Sequence, residues 1–275
     1  MKTSIMKQSW CGLGLALSVV SAFSITTFSQ TANAAVFNVG QLSWDSDNSV
    51  NSGKVIEGNV SALPASFLVT DPNVDLINSQ TIGSVLGLSS GFNTFAALGD
   101  QNDRAIIELS WAGKYLKNYN GDDFVLYENG FSGEPEAFAI AVRKQGENTF
   151  SNYFYKFTKE FVPTDISRPD VGGAFATVFD LTDFNLGQNE AIDAIRVMNL
   201  LPSDRVDGND GQGFLGGSFL PRTGVGGTEF ASDKFDPDIT YLVALNQPTS
   251  VPEPSAILGF LLLGGIGLAK KIVRK

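Results

Sequence analysis

No histidine occurs anywhere in this chain of 275 residues, and that absence removes whole classes of chemistry. Without an imidazole there is no Ser-His-Asp or Cys-His nucleophile system and no nitrogen ligand for zinc, copper or iron. Cysteine is nearly absent too. The single one, Cys11, lies in an N-terminal stretch read below as a removed export signal, so the mature chain has neither a disulfide nor a thiolate ligand. Basic residues are scarce, 19 against 29 acidic. The first 34 residues hold 2 of the basic ones and residues 252–275 hold 4 with one acid, which leaves 13 basic against 28 acidic between them, a formal balance of −15. Such a surface repels nucleic-acid phosphates and anionic lipid headgroups, so neither DNA, RNA nor peripheral membrane binding is expected of it, and it suits divalent cations. Enzymes that work without histidine mostly run on carboxylate pairs, as glycoside hydrolases and lyases do. With so many acids, some pair falls at that spacing by chance, and no enzymatic activity is expected from pairing alone.

Long apolar runs are lacking as well, and the two that come closest mark the ends of the chain. Lys2 and Lys7 precede an apolar stretch from Cys11 to Phe23, and a polar segment follows that ends Ala32-Asn33-Ala34. This is the order of a secretory signal, with Ala32 and Ala34 as the small residues read at cleavage before Ala35. Its apolar core is too short to cross ~30 Å of hydrocarbon. At the other end Val251-Pro252-Glu253-Pro254-Ser255 leads into a glycine-laced apolar run from Ala256 to Ala269, then Lys270-Lys271-Ile272-Val273-Arg274-Lys275. As a helix the run spans only ~21 Å, a marginal transmembrane segment unless Ile272 and Val273 enter and the lysines snorkel; its basic end would stay cytoplasmic.

Motif, apolar segment and basic end together resemble the PEP-CTERM sorting signal of Gram-negative and cyanobacterial surface proteins. The resemblance implies an integral-membrane exosortase as partner, recognition of Pro252, Glu253 and Pro254, and removal of the tail. It also implies a protein anchored transiently in the inner membrane and destined for the cell surface, outer membrane or extracellular matrix.

Between the ends, residues 35–250 read as one all-β domain, an antiparallel β-sandwich. Ala105, Ile107, Leu109 and Trp111 share one face by period two, as do Phe138, Ile140 and Val142, and Ile239, Tyr241, Val243 and Leu245. Phe124 to Tyr127 is apolar on both faces and reads as a buried central strand. Asn120-Gly121-Asp122, Asn129-Gly130 and Gly172-Gly173 read as turns; short helices are expected over 75–86 and 189–194. The order of pieces between about 95 and 245, including Leu98-Gly99, Val125 to Gly130, Glu136 to Val142, Phe179-Asp180-Leu181, Ile195-Arg196-Val197 and Phe235 to Ile239, resembles discoidin-like or galactose-binding-like jelly rolls. That resemblance implies a jelly-roll sandwich and carbohydrate or surface binding, with no fixed activity.

Candidate ligand residues are acids, amides and aromatics in turns. Asp204, Asp207, Asn209 and Asp210, with Gly208 and Gly211, form the densest group of hard-cation ligands, although the spacing misses an EF-hand by one residue and lacks its closing glutamate. The plain alternative is a turn in which Asp and Asn bond their own backbone. The jelly-roll resemblance implies a structural calcium at Asp236 and Asp238, completed by Glu128 or Asp123. Against this, Glu128 is equally read as pairing with Arg143 or Arg196. Stacking on sugar needs exposed rings, and Tyr115, Tyr119, Phe214 and Phe219 are the candidates, with Trp111 read as core. The loop 203–232 is long and poor in pattern, and such loops are often functional or mobile. The sequence therefore points to a non-catalytic carbohydrate- or surface-binding module, supported by calcium. Its rivals are a purely structural matrix protein and a carboxylate-based polysaccharide hydrolase or lyase.

Overall fold

The computed structural model describes residues 36–39, 41–64, 94–130, 136–156, 167–168, 172–222 and 235–250. The export signal with Ala32 and Ala34, the Pro252–Pro254 motif and tail, and the helix expected over 75–86 lie outside them.

The described residues build two large antiparallel sheets. The larger runs in the order β14 (Gly213–Phe214), β10 (Phe154–Tyr155), β9 (Phe138–Lys144), β13 (Ala191–Asn199), β6 (Ile106–Ser110) and β3 (Ser52–Glu57). The strand β7 (Lys114–Lys117) pairs with the start of β13, and β16 (Thr249–Ser250) pairs with β7. The smaller sheet is β11 (Ser167–Arg168), β12 (Gly172–Phe179), β8 (Phe124–Gly130), β15 (Asp238–Ala244), β5 (Thr94–Leu98) and β4 (Val60–Pro64). The strands β1 (Val36–Val39) and β2 (Leu42–Asp45) form a separate hairpin. Helix is confined, among the described residues, to two short 3-10 turns at Ser46–Asn48 and Leu181–Phe184. None there is long and apolar enough to cross a membrane.

Side-chain alternation explains the packing. Ile107, Leu109 and Trp111 join Phe138, Ile140, Val142, Ile195 and Val197 of the larger sheet in one buried cluster with Leu98, Phe124, Leu126, Ile239 and Leu242 of the smaller. This is the sandwich interior, and Trp111 belongs to it, its indole N–H donating to the Asn48 carbonyl at 2.7 Å. Phe124, Phe179 and Phe184 stack there, with Phe154 edge-on to Phe184 at 5.6 Å. The reverse of the smaller sheet is apolar as well. Val125, Tyr127, Ala176, Val178, Tyr241 and Val243 are covered by Trp44 of β2, whose indole N–H donates to the Tyr127 hydroxyl at 2.8 Å. A third cluster, Ile106, Ala139, Met198, Leu200, Val206 and Phe235, lies on the reverse of the larger sheet. Phe124 to Tyr127 is thus buried on both faces, as its composition predicts.

Three expectations need correction. A bulge between Ile192 and Ala194 sets Ile192 and Ile195 three apart on one face, and that helix-like spacing is why 189–194 reads as a helix; residues 191–199 are a strand. A second bulge between Ile239 and Tyr241 turns Ile239 to the interior while Tyr241 and Val243 face Trp44, so the four residues predicted on one face are divided. A bulge shifts the alternation by one, and with it every later side chain. Asn129-Gly130 and Gly172-Gly173 are not turns. Gly173 pairs directly with Gly130 in the β12–β8 ladder, whereas Asn120-Gly121 does lie in a turn, with Gly121 at φ 86°.

Candidate functional site

The loop read over 203–232 is described as far as Arg222, and from Leu201 to there it is tightly braced. Asp204 accepts both arms of the Arg104 guanidinium at 2.8 and 2.9 Å and the Leu201 N–H at 2.7 Å. Val206 is fully buried and bonds Phe219 reciprocally, N–H to carbonyl, at 2.8 and 3.0 Å. Asp207 accepts the Phe214 N–H at 2.8 Å. At Gly213, φ is 131° and a Cβ would stand 2.2 Å from the Asp207 carboxylate, so only glycine lets that bond form. Asp210 accepts from the Gln212 side chain and backbone, which hold its carboxyl below the usual range. Asn209 is exposed. Asp207 and Asp210 therefore bond the loop itself, in the manner of Asx turns, while Asp204 also ties it to Arg104.

This bracing presents apolar surface. Phe214 is half-buried edge-on to Phe154 at 5.2 Å. Phe219 and Leu220 stand 43% and 45% exposed on the frame fixed by Val206.

The turn after β7 holds other candidates. Asp123 is fully buried and accepts the Tyr119 and Leu181 N–H groups, each at 2.9 Å, one on each oxygen. Burial raises its pKa; the two N–H groups oppose this, and Asp180 and Asp122 add to it. Asn118, also fully buried, donates to the Leu186 and Gly187 carbonyls. Tyr119 is 38% exposed, whereas Tyr115 is half-buried with the Lys117 ammonium 5.8 Å from its ring centre.

The residues of the implied calcium site divide between two places. In the β15–β8 ladder Asp238 lies opposite Asn129 and Ile239 opposite Glu128, so Glu128 and Asp238 share one end. Asp123 precedes Phe124 at the other end of the same strand, five residues from Glu128, about 17 Å of strand. Asp236 is two residues before Asp238, and the Asp238 N–H donates to Glu136 at 3.2 Å. Glu128 is buried, yet the arginines expected beside it are engaged elsewhere. Arg196 and Arg143 converge with Lys54 on Glu108 of β6, Arg143 also bonds Asp193, and Phe150 lies against the Arg196 guanidinium at 4.0 Å. Among the described residues, no three Asp or Glu side chains are grouped to hold a metal ion.

Sequence reasoning missed Asn199. Fully buried at the end of β13, it accepts the Ala105 N–H at 2.7 Å and donates to the Asp100, Asp103 and Phe235 carbonyls at 2.9 to 3.0 Å. It thereby ties the β5–β6 connection to the approach to β15. No local pattern marks such a residue, since its partners lie 36 to 99 positions away. No protein-family model matches the chain, and no curated protein matches it.

Proposed function

We propose that the protein is an exported, exosortase-sorted module of the cell surface or extracellular matrix that binds polysaccharide without cleaving it, on a jelly-roll-like sandwich. The observation that supports this best is the Phe219-Leu220 edge, two large exposed apolar side chains beside the reciprocal Val206–Phe219 backbone bonds. A rigid ring already facing water loses little freedom when it stacks on the apolar face of a pyranose, and loop polar groups beside it can bond the hydroxyls. Phe214, Tyr115 and Tyr119 contribute less, since Phe214 packs on Phe154 and Tyr115 is half-buried. The carboxylates of Asp204, Asp207 and Asp210 are engaged by their own loop and by Arg104, so any calcium requirement does not rest on them.

The test is co-sedimentation of the secreted form with extracellular polysaccharide of the producing strain, in calcium and in chelator, with assay of new reducing ends. Saturable pelleting that Phe219→Ala weakens about tenfold, the loss of roughly 1.4 kcal/mol, is expected. No pelleting favours a structural matrix role, and steady release of reducing ends favours a carboxylate hydrolase or lyase.

A further inference from the structure

We propose that the β7–β16 corner is a docking surface for the anionic headgroups of the membrane, used while the sorting tail is still attached; this rests on the reading of residues 251–275 as that tail. Two observations lead there. First, the fold holds the chain to within two residues of the Pro-Glu-Pro motif. Pro248 is buried, Thr249 pairs with Tyr115 and Ser250 with Lys114. Only residues 251–255 separate this last pair from the apolar run at Ala256, and fully extended they reach about 20 Å. The headgroup layer occupies roughly 5–8 Å of that on its side of the hydrocarbon. The corner is consequently tethered close to the bilayer surface, whatever the rest of the domain does.

Second, the corner carries the chemistry of a membrane interface. Five lysines lie in the described segments. Lys54, Lys144 and Lys156 are ion-paired, with Glu108, Glu190 and Asp183. Lys114 and Lys117, both on β7, form no ion pair among the described residues, and each is part-exposed. Tyr115 and Tyr119 accompany them, and tyrosine favours the headgroup level because one end of its ring is apolar and the other wet. Of the acids nearby, Glu190 is paired with Lys144 and Asp123 is buried, which leaves Asp122 exposed in the following turn.

Two lysines bind a free protein to an anionic membrane only weakly. Tethering makes that contact intramolecular, so weak attraction is enough. The rest of the domain, with its formal balance of −15, is repelled by the same surface, and repulsion elsewhere with attraction at one corner sets an orientation. The far end of β13 lies eight residues beyond the pairing of Ala191 with Lys117, about 27 Å along the strand. The loop bearing Phe219 and Leu220 follows that far end. Because β16 and β13 both run antiparallel to β7, the chain leaves Ser250 toward this end, so the tether alone does not hold the loop away from the membrane and a bias toward the β7 corner reports the lysines.

The mature chain with its tail has no cysteine once Cys11 is gone, so single labels can be placed at will. Ala112→Cys, exposed in the turn before β7, and Ser203→Cys, exposed beyond β13, each carry a fluorophore on protein reconstituted into phosphatidylglycerol-containing vesicles with a headgroup quencher. Quenching severalfold stronger at 112 than at 203 is expected. That contrast should shrink in phosphatidylcholine vesicles, in high salt, and in the Lys114→Gln/Lys117→Gln variant. Equal quenching at both positions, or a contrast indifferent to lysines and lipid charge, overturns the docking surface while leaving the tail reading intact. Protein that fails to float with the vesicles at all overturns the tail reading and the docking surface with it.

Discussion

Replacing Asn199 tests the packing logic most sharply, because its amide is bonded on both sides. Asn199→Ala removes the acceptor for the buried Ala105 N–H and the donor for three carbonyls, those of Asp100, Asp103 and Phe235. A neutral hydrogen bond contributes about 1 kcal/mol net, and a buried group left without a partner costs about 1–3 kcal/mol. Ala105 is fully buried and Phe235 nearly so, while Asp100 is exposed and its carbonyl can turn to water. The expected loss is therefore about 3–5 kcal/mol, which at roughly 2–4 °C per kcal/mol for a domain of this size lowers Tm by at least about 6 °C. Asn199→Asp keeps the acceptor for Ala105 but sets a second oxygen against the three carbonyls and buries a charge. It is expected to be the worse of the two at neutral pH, with the gap narrowing in acid. Urea denaturation followed by fluorescence of Trp44 and Trp111, which sit in different clusters, gives both midpoints and shows whether the two report one transition. An alanine variant within about 1 kcal/mol of the parent, well under the sum of the lost bonds, refutes the hub; an aspartate variant more stable than alanine refutes the amide orientation.

The cation cluster on Glu108 gives a second expectation. Glu108→Ala leaves Lys54, Arg143 and Arg196 facing one another; losing one partner of a buried pair costs about 3–5 kcal/mol, and with the arginines over a quarter exposed about 1–3 kcal/mol remains after screening, read as a shift of the urea midpoint at unchanged slope. Trp44→Ala uncovers Tyr127, Tyr241 and Val243 and should cost about 3–5 kcal/mol, with dye binding to the exposed face as the independent readout; a change under about 1 kcal/mol would mean that the hairpin does not cover the sheet. For Asp123 the sign follows from burial. Its folded pKa lies above the unfolded value of 3.8, so the unfolded chain releases this proton first. Stability therefore declines as pH rises from below 3.8 through the folded pKa, and the effect of Asp123 is smallest at the acid end. The difference in stability between the parent and Asp123→Asn, followed from pH 3 to 7, should move in the variant's favour with rising pH, and the opposite trend excludes burial as the dominant cause.

Where strands keep strict alternation, they are legible without a structure. Ala105, Ile107, Leu109 and Trp111, and likewise Phe138, Ile140 and Val142, lie inside as their period requires. Legibility fails at single residues. One extra residue near Ile192 mimics a helix, and another at Thr240 exchanges the faces of β15; a bulge has no residue signature comparable to a turn's. Glycine pairs mislead for a related reason. Gly130 and Gly173 face each other across two strands, and glycine there reads the same as glycine in a turn. Local self-bonding of Asp207 and Asp210 is readable, because Asx turns depend on near neighbours. Asp204 with Arg104, 100 positions apart, is not, nor is the choice of Glu108 rather than Glu128 by the arginines.

These contacts change the meaning of the acidity. A chain without disulfides needs other means to fasten long connections, and here short acids do so by accepting backbone N–H groups, and the Asn199 amide by accepting one N–H and donating to three carbonyls. Asp123 fastens the turn after β7 to the 181–184 turn, Asp204 and Asp207 brace the 201–222 loop, and Asn199 joins the β5–β6 connection to β15. The carboxylate oxygens among these accept best when ionised, and a carboxylate already filled by N–H donors is a poor cation ligand, since coordination would strip those bonds. Part of the surplus of negative charge is therefore internal fastening. Calcium and the loop's own N–H groups compete for the same oxygens, so the structure of the 201–222 loop is expected to be indifferent to chelation, and a circular dichroism or proteolysis pattern of the loop that changes with chelator would refute this.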